Sequence, residues 1–140
     1  MIEKITKNDC VFATIIRSDF KTEGIVFFTP HESTQQMAYM NRPKGHLIDA
    51  HKHGYEERFI TQSSEVLIVK TGKVKVFIYD EHDEFYAETI IQKGDVILLS
   101  GCGHGFEMLE DSEMVEIKQG PYSGNQNCLP INTYSAKNAS

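Results

Sequence analysis

Apolar and polar positions alternate with a period of two along most of this chain, and the runs are short. VFATII (11–16), GIVFFT (24–29) and QQMAYM (35–40) come first, followed by HLIDAHKH (46–53), EVLIVK (65–70) and KVKVFIYD (73–80). FYAETII (85–91), DVILLS (95–100), HGFEML (104–109) and EMVEIKQ (113–119) complete the series. Each run is rich in β-branched and aromatic residues, and turn-forming groups separate them: Thr71-Gly72, Glu81 to Glu84, Lys93-Gly94, Gly101-Cys102-Gly103 and Glu110-Asp111. In KVKVF, Val74 and Val76 alternate with Lys73, Lys75 and Phe77, the pattern of a half-buried strand. No segment supports an amphipathic helix longer than about two turns. About ten strands in a chain of this length predict an all-β sandwich or barrel with one core.

Alternation also sorts the polar residues. As a strand, HLIDAHKH places Asp49, His51 and His53 on one face, with Ile48 and Ala50 on the other. In EMVEIKQ, Met114, Glu116 and Lys118 share one face, and Val115, Ile117 and Gln119 share the opposite one. The pattern alone leaves open which of these two rows faces inwards.

Composition narrows the function classes. The 140 residues carry 14 Lys and Arg against 20 Asp and Glu, a net charge of −6, with the basic residues scattered. That argues against a nucleic-acid surface, which needs a basic patch. NRPK (41–44) is the densest basic cluster and reads as a solvated turn. No apolar run reaches a membrane-spanning length, and MIEKITKND lacks the apolar stretch of a signal peptide, so a cytoplasmic protein is expected. Three cysteines, Cys10, Cys102 and Cys128, are an odd number without C-x-x-C spacing, which fits a reducing compartment. The last residues, from about 130 to 140, read as a loose tail.

Three spacings belong together. Gly45 is followed by five residues and the pair His51-x-His53, Glu65 by six residues and Gly72, and Gly94 opens a strand ending in a glycine-rich loop with His104. Over residues 35–122 this arrangement resembles the cupin family, so the resemblance implies a double-stranded β-helix, a jelly-roll barrel, with strands 11–29 added in front. It implies that His51, His53, Glu65 and His104 hold a divalent metal ion, Zn, Ni, Fe or Mn. The chain departs from the family pattern at identifiable places. Glu65 follows His53 by twelve positions, Glu57 occupies the family's shorter spacing but has Ser64 where the glycine belongs, and Ser100 replaces a common proline. His104 also arrives one residue early.

KQGPYSG (118–124) and QQMAYMNRPKGH (35–46) resemble stretches of small single-domain cupins that accompany sugar-nucleotide and surface-polysaccharide synthesis. The expected function is therefore a metal-dependent isomerase or epimerase acting on a small carbonyl-bearing or sugar-derived substrate. Glu116, Lys118 and Tyr79 are the candidate proton-moving groups. An iron(II) dioxygenase and a non-catalytic binding module are the alternatives. Apolar strands at 11–16 and 25–29 also suggest a homodimer, formed by pairing of their edges.

Overall fold

The computed structural model describes residues 1–124 and 128–131. Among these it contains ten strands and no α-helix. They are β1 (Ile2–Lys7), β2 (Cys10–Ile16), β3 (Gly24–Phe27), β4 (Ala38–Asn41) and β5 (Ser64–Thr71), then β6 (Lys73–Tyr79), β7 (Phe85–Gln92), β8 (Val96–Ser100), β9 (Gly103–Met108) and β10 (Glu113–Lys118). They form three antiparallel sheets, ordered β1-β2-β8-β5-β10, β7-β6-β9 and β3-β4. The all-β expectation holds. The sheets do not close into a barrel among the described residues. Residues 132–140, most of the expected tail, lie outside the described residues.

From β5 onwards the chain winds between the two larger sheets: β5 in the first, β6 and β7 in the second, β8 in the first, β9 in the second and β10 in the first. Alternation then directs one row of each strand into the shared interior. Ala13, Ile15, Leu67, Val69, Ile97 and Leu99 from the first sheet pack with Val74, Val76, Ile78 and Ile91 from the second in one core. Ile15, Ile78, Ile91 and Ile97 have no exposed surface, and burial of such a side chain contributes about 1.5–3 kcal/mol. The outer face of the five-stranded sheet carries a second, smaller core, where Ile16, Val66 and Leu98 meet Met37, with Phe20 and Phe28 packed against them. The β3–β4 pair is fastened there by Phe20, which stacks edge-on with Phe28 and Tyr39.

Two differences from the sequence expectation matter for the site. Residues 42–63 contain no strand, so HLIDAHKH, expected to be one, is irregular, exposed chain. Its only β-branched residue is Ile48, Gly45 and Gly54 flank it, and no apolar row opposite a core pins its register. Alternation of polar residues alone does not hold a strand in a sheet. The second difference is β1, which pairs with β2 and makes that apolar strand internal to the sheet rather than an edge. The free edges of the N-terminal region belong to β1 and to the β3–β4 pair.

A partly buried ion network centred on Asp95 ties β1, β2, β7 and β8 together. Arg17 contacts Glu3 with two nitrogens (3.0 and 2.9 Å) and Asp95 with a third (2.9 Å), and donates to the Ile90 carbonyl. Asp95, 1% exposed, also accepts the backbone N–H groups of Ser18 and Gln92. The Arg17 guanidinium holds the Glu3 carboxyl below its ordinary pKa. At the β6–β7 turn, Asp80 accepts from Lys7 Nζ and from the N–H groups of His82 and Glu84, and these donors depress its pKa to about 2.

The β5–β6 turn rests on Gly72, at φ +86°, a left-handed conformation that costs a side-chain-bearing residue about 1–2 kcal/mol. A Cβ there would also collide with the Asp111 carbonyl and with Ser112. Gly72→Ala is therefore expected to lower stability by about 2–4 kcal/mol, measured by urea unfolding. An unchanged midpoint would contradict this turn geometry.

Candidate functional site

Glu65 begins the inward row of β5 that continues as Leu67 and Val69. His104 lies on β9 opposite Ile78, whose side chain is in the core, so the imidazole also points inwards. The two residues belong to different sheets and meet at one end of the core, with His104 Nε2 3.2 Å from Glu65 Oε2. Glu65 is 15% exposed at its side chain and His104 27%, so the pair is largely shielded yet open to one side. His104 Nδ1 is buried and has no hydrogen-bond partner.

β10 completes the cluster. Lys118 is opposite Glu65 and Glu116 is opposite Leu67, so the Met114–Glu116–Lys118 row takes the inner face, and Met114 reaches the core. Lys118 Nζ lies 3.6 Å from Glu116 Oε1, and both side chains are nearly half exposed at the mouth of the sandwich. At the same end of the β5–β10 junction, one residue beyond the Lys118–Glu65 pair, Gln119 accepts the N–H of Ser64 and donates to Gln35. These bonds fix the start of β5, and with it the position of Glu65.

The charges respond to this packing. The Cys102 sulfur and the Glu65 carboxylate favour the charged imidazolium, and together they push the His104 pKa up to about 10. Of the two, the Glu65 contact has the direct geometry, because the Cys102 thiol donates to the Phe12 carbonyl. Glu65 is held below its ordinary value, chiefly by His104, whereas Glu116 is raised, chiefly by the nearby Glu65 carboxylate. One end of the sandwich thus holds an ion pair, a carboxyl group that retains its proton more readily, and an ammonium group.

The remaining sequence candidates lie elsewhere. Tyr79 is buried on the face of β6 opposite to Ile78, with its ring edge-on to Phe85 at 6.2 Å, and so points away from the cluster. His51 and His53 are exposed in the 42–63 segment, beside each other with ring centroids 5.5 Å apart. Glu57, the alternative carboxylate, is exposed in the same segment and accepts from Tyr55. The four expected metal donors therefore fall into two pairs. Among the described residues no three His, Cys, Asp or Glu side chains converge on a position for an ion. The strand expected to carry His51 and His53 towards the other two is not formed.

An open cavity of about 390 Å³ is lined by Glu23, Gly24, Asn41, Arg42 and Pro43. The turn expected over NRPK falls slightly later: Asn41 ends β4, and the turn runs from Pro43 to His46, closed by His46 N–H donating to the Pro43 carbonyl.

Fold and site together define an all-β sandwich with an acid–base cluster at one end. No family model matches the chain, and no match was found among curated proteins or solved structures. No helix among the described residues is long and apolar enough to cross a membrane.

Proposed function

We propose that this chain is a jelly-roll domain of the cupin type that moves protons on a small carbonyl-bearing or sugar-derived molecule, as an isomerase or epimerase. The fold reading is supported by the strand order. β10-β5-β8 in one sheet and β9-β6-β7 in the other is the winding produced when successive strands of a folded-over ribbon alternate between two layers. The functional reading rests on one observation, the 3.2 Å contact between Glu65 and His104 from opposite sheets at an open end of the core.

In the resting pair each group satisfies the other's charge. A substrate entering between them separates the two, leaving a carboxylate to withdraw a proton α to the carbonyl and an imidazolium to donate to the carbonyl oxygen. The carbon–hydrogen electron pair moves into a carbon–carbon double bond as the carbonyl oxygen gains its proton, giving an enediol. Return of the proton to the same carbon's other face, or to the neighbouring carbon, gives epimer or isomer. Lys118 stabilises negative charge that develops on oxygen, and Glu116 supplies a second proton-bearing group.

The test is solvent exchange. Incubation of candidate ketoses, aldoses and their nucleotide-linked derivatives with the protein in heavy water should place deuterium on the carbon next to the carbonyl. Consumption of oxygen by the iron-reconstituted protein, with no deuterium incorporated, would assign a dioxygenase instead. Tight retention of a ligand without either reaction would assign a binding module.

A further inference from the structure

His104 stands between two glycines on β9, and because its ring points inwards, Gly103 and Gly105 take the outer face. Neither glycine has a positive φ, so the backbone conformation does not call for glycine at either position. A glycine inside a strand then marks the close approach of another group. At Gly103 that group is Ile131. A Cβ at position 103 would collide with Ile131 Cδ1 and would lie 3.1 Å from the Tyr79 Cβ. At Gly105 a Cβ would meet the Phe77 ring at 3.9 Å, an ordinary contact.

Ile131 reaches this notch from the C-terminal segment, inside the stretch expected to be a loose tail. Of residues 128–131 it alone is drawn away from solvent; Leu129 is 84% exposed. The notch has a firm wall, since Tyr79, the β6 partner of Gly103, is 4% exposed. β9 has few other restraints at this point. It pairs with β6 alone, and among the described residues its second edge is free.

We infer that Ile131 is a positioning residue for the Glu65–His104 pair: its side chain, seated against Gly103 beside Tyr79, fixes the start of β9 and with it the direction of the imidazole. The role rests on the proton-transfer reading of that pair. Ile131 touches no reacting atom and acts through the backbone next to His104. Small displacements matter there, because a shift of ~1 Å in a reacting group can slow a reaction about 100-fold.

NMR of the full chain tests this apart from turnover. In the natural sequence the His104 Nε2 proton, held by the Glu65 carboxylate at 3.2 Å, should give a sharp downfield ring signal. In Ile131→Ala that signal should broaden or vanish through exchange with water, and deuterium transfer into substrate should slow about tenfold or more. Gly103→Ala, which fills the notch from the strand side, should give the same two losses. Ile131→Leu, of equal volume and still reaching the notch with a δ-methyl, should restore both. A sharp signal persisting in a folded Ile131→Ala or Gly103→Ala chain would overturn the inference while leaving the Glu65–His104 contact intact. Absence of the signal from the natural sequence would instead remove that contact, and the positioning role with it.

Discussion

Asp95→Ala is expected to cost about 3–5 kcal/mol of folding stability. The carboxylate is 1% exposed and serves three donors: Arg17, the Ser18 N–H and the Gln92 N–H. Alanine leaves both backbone donors without a partner and removes half of the negative charge around a guanidinium whose side chain is only 18% exposed. Asp95→Asn, which keeps the shape and one acceptor, should cost less, about 1–3 kcal/mol. Urea unfolding checks both, read as a lower midpoint at unchanged slope. A loss under about 1 kcal/mol for the alanine variant would show that the network is not formed as described.

Glu65→Gln and His104→Gln are each expected to slow solvent exchange into substrate by about 10²–10⁴-fold, the usual contribution of a positioned acid or base. Glutamine retains the size and a hydrogen-bonding oxygen of the Glu65 side chain but no longer accepts a proton at useful pH. At position 104 it removes the only imidazole in the cluster. Lys118→Met should weaken the reaction less, because the ammonium is nearly half exposed and acts through charge rather than by transferring the α-proton. Tyr79→Phe should leave the exchange rate unchanged, since that ring faces away from the cluster. A full rate in Glu65→Gln would remove the carboxylate from the chemistry.

Much of the scaffold was legible in the sequence. EVLIVK, KVKVFIYD, FYAETII and DVILLS each combine β-branched residues, alternation and a turn signal, and all four are strands. Glu65 was singled out by its spacing to Gly72 and its strand context, and the structure sets it in the inward row of Leu67 and Val69. Three things were hidden, for different reasons. The H-x-H segment has the alternation of a strand without an apolar row to bury, so alternation alone did not make it a strand. The inward row of β10 was undecidable because Val115 and Ile117 are as apolar as anything opposite them; only the pairing of Lys118 with Glu65 resolves it. The Arg17–Asp95 contact joins residues 78 positions apart, and neither carries a local mark of burial.

The pairing of Glu65 with His104 also makes stability depend on pH in a defined sense. A histidine whose pKa is raised on folding contributes stability that is fully present below its unfolded value, about 6.5, and is lost as pH rises through the folded value. Here that window runs from about 6.5 up to about 10. Glu65, depressed on folding, contributes above its unfolded pKa and loses that contribution as pH falls.

An NMR titration of the His104 ring tests the central contact most directly. A midpoint well above that of an ordinary histidine is expected, and it should fall in Glu65→Gln. A midpoint already ordinary in the natural sequence, indifferent to the residue at position 65, would contradict it.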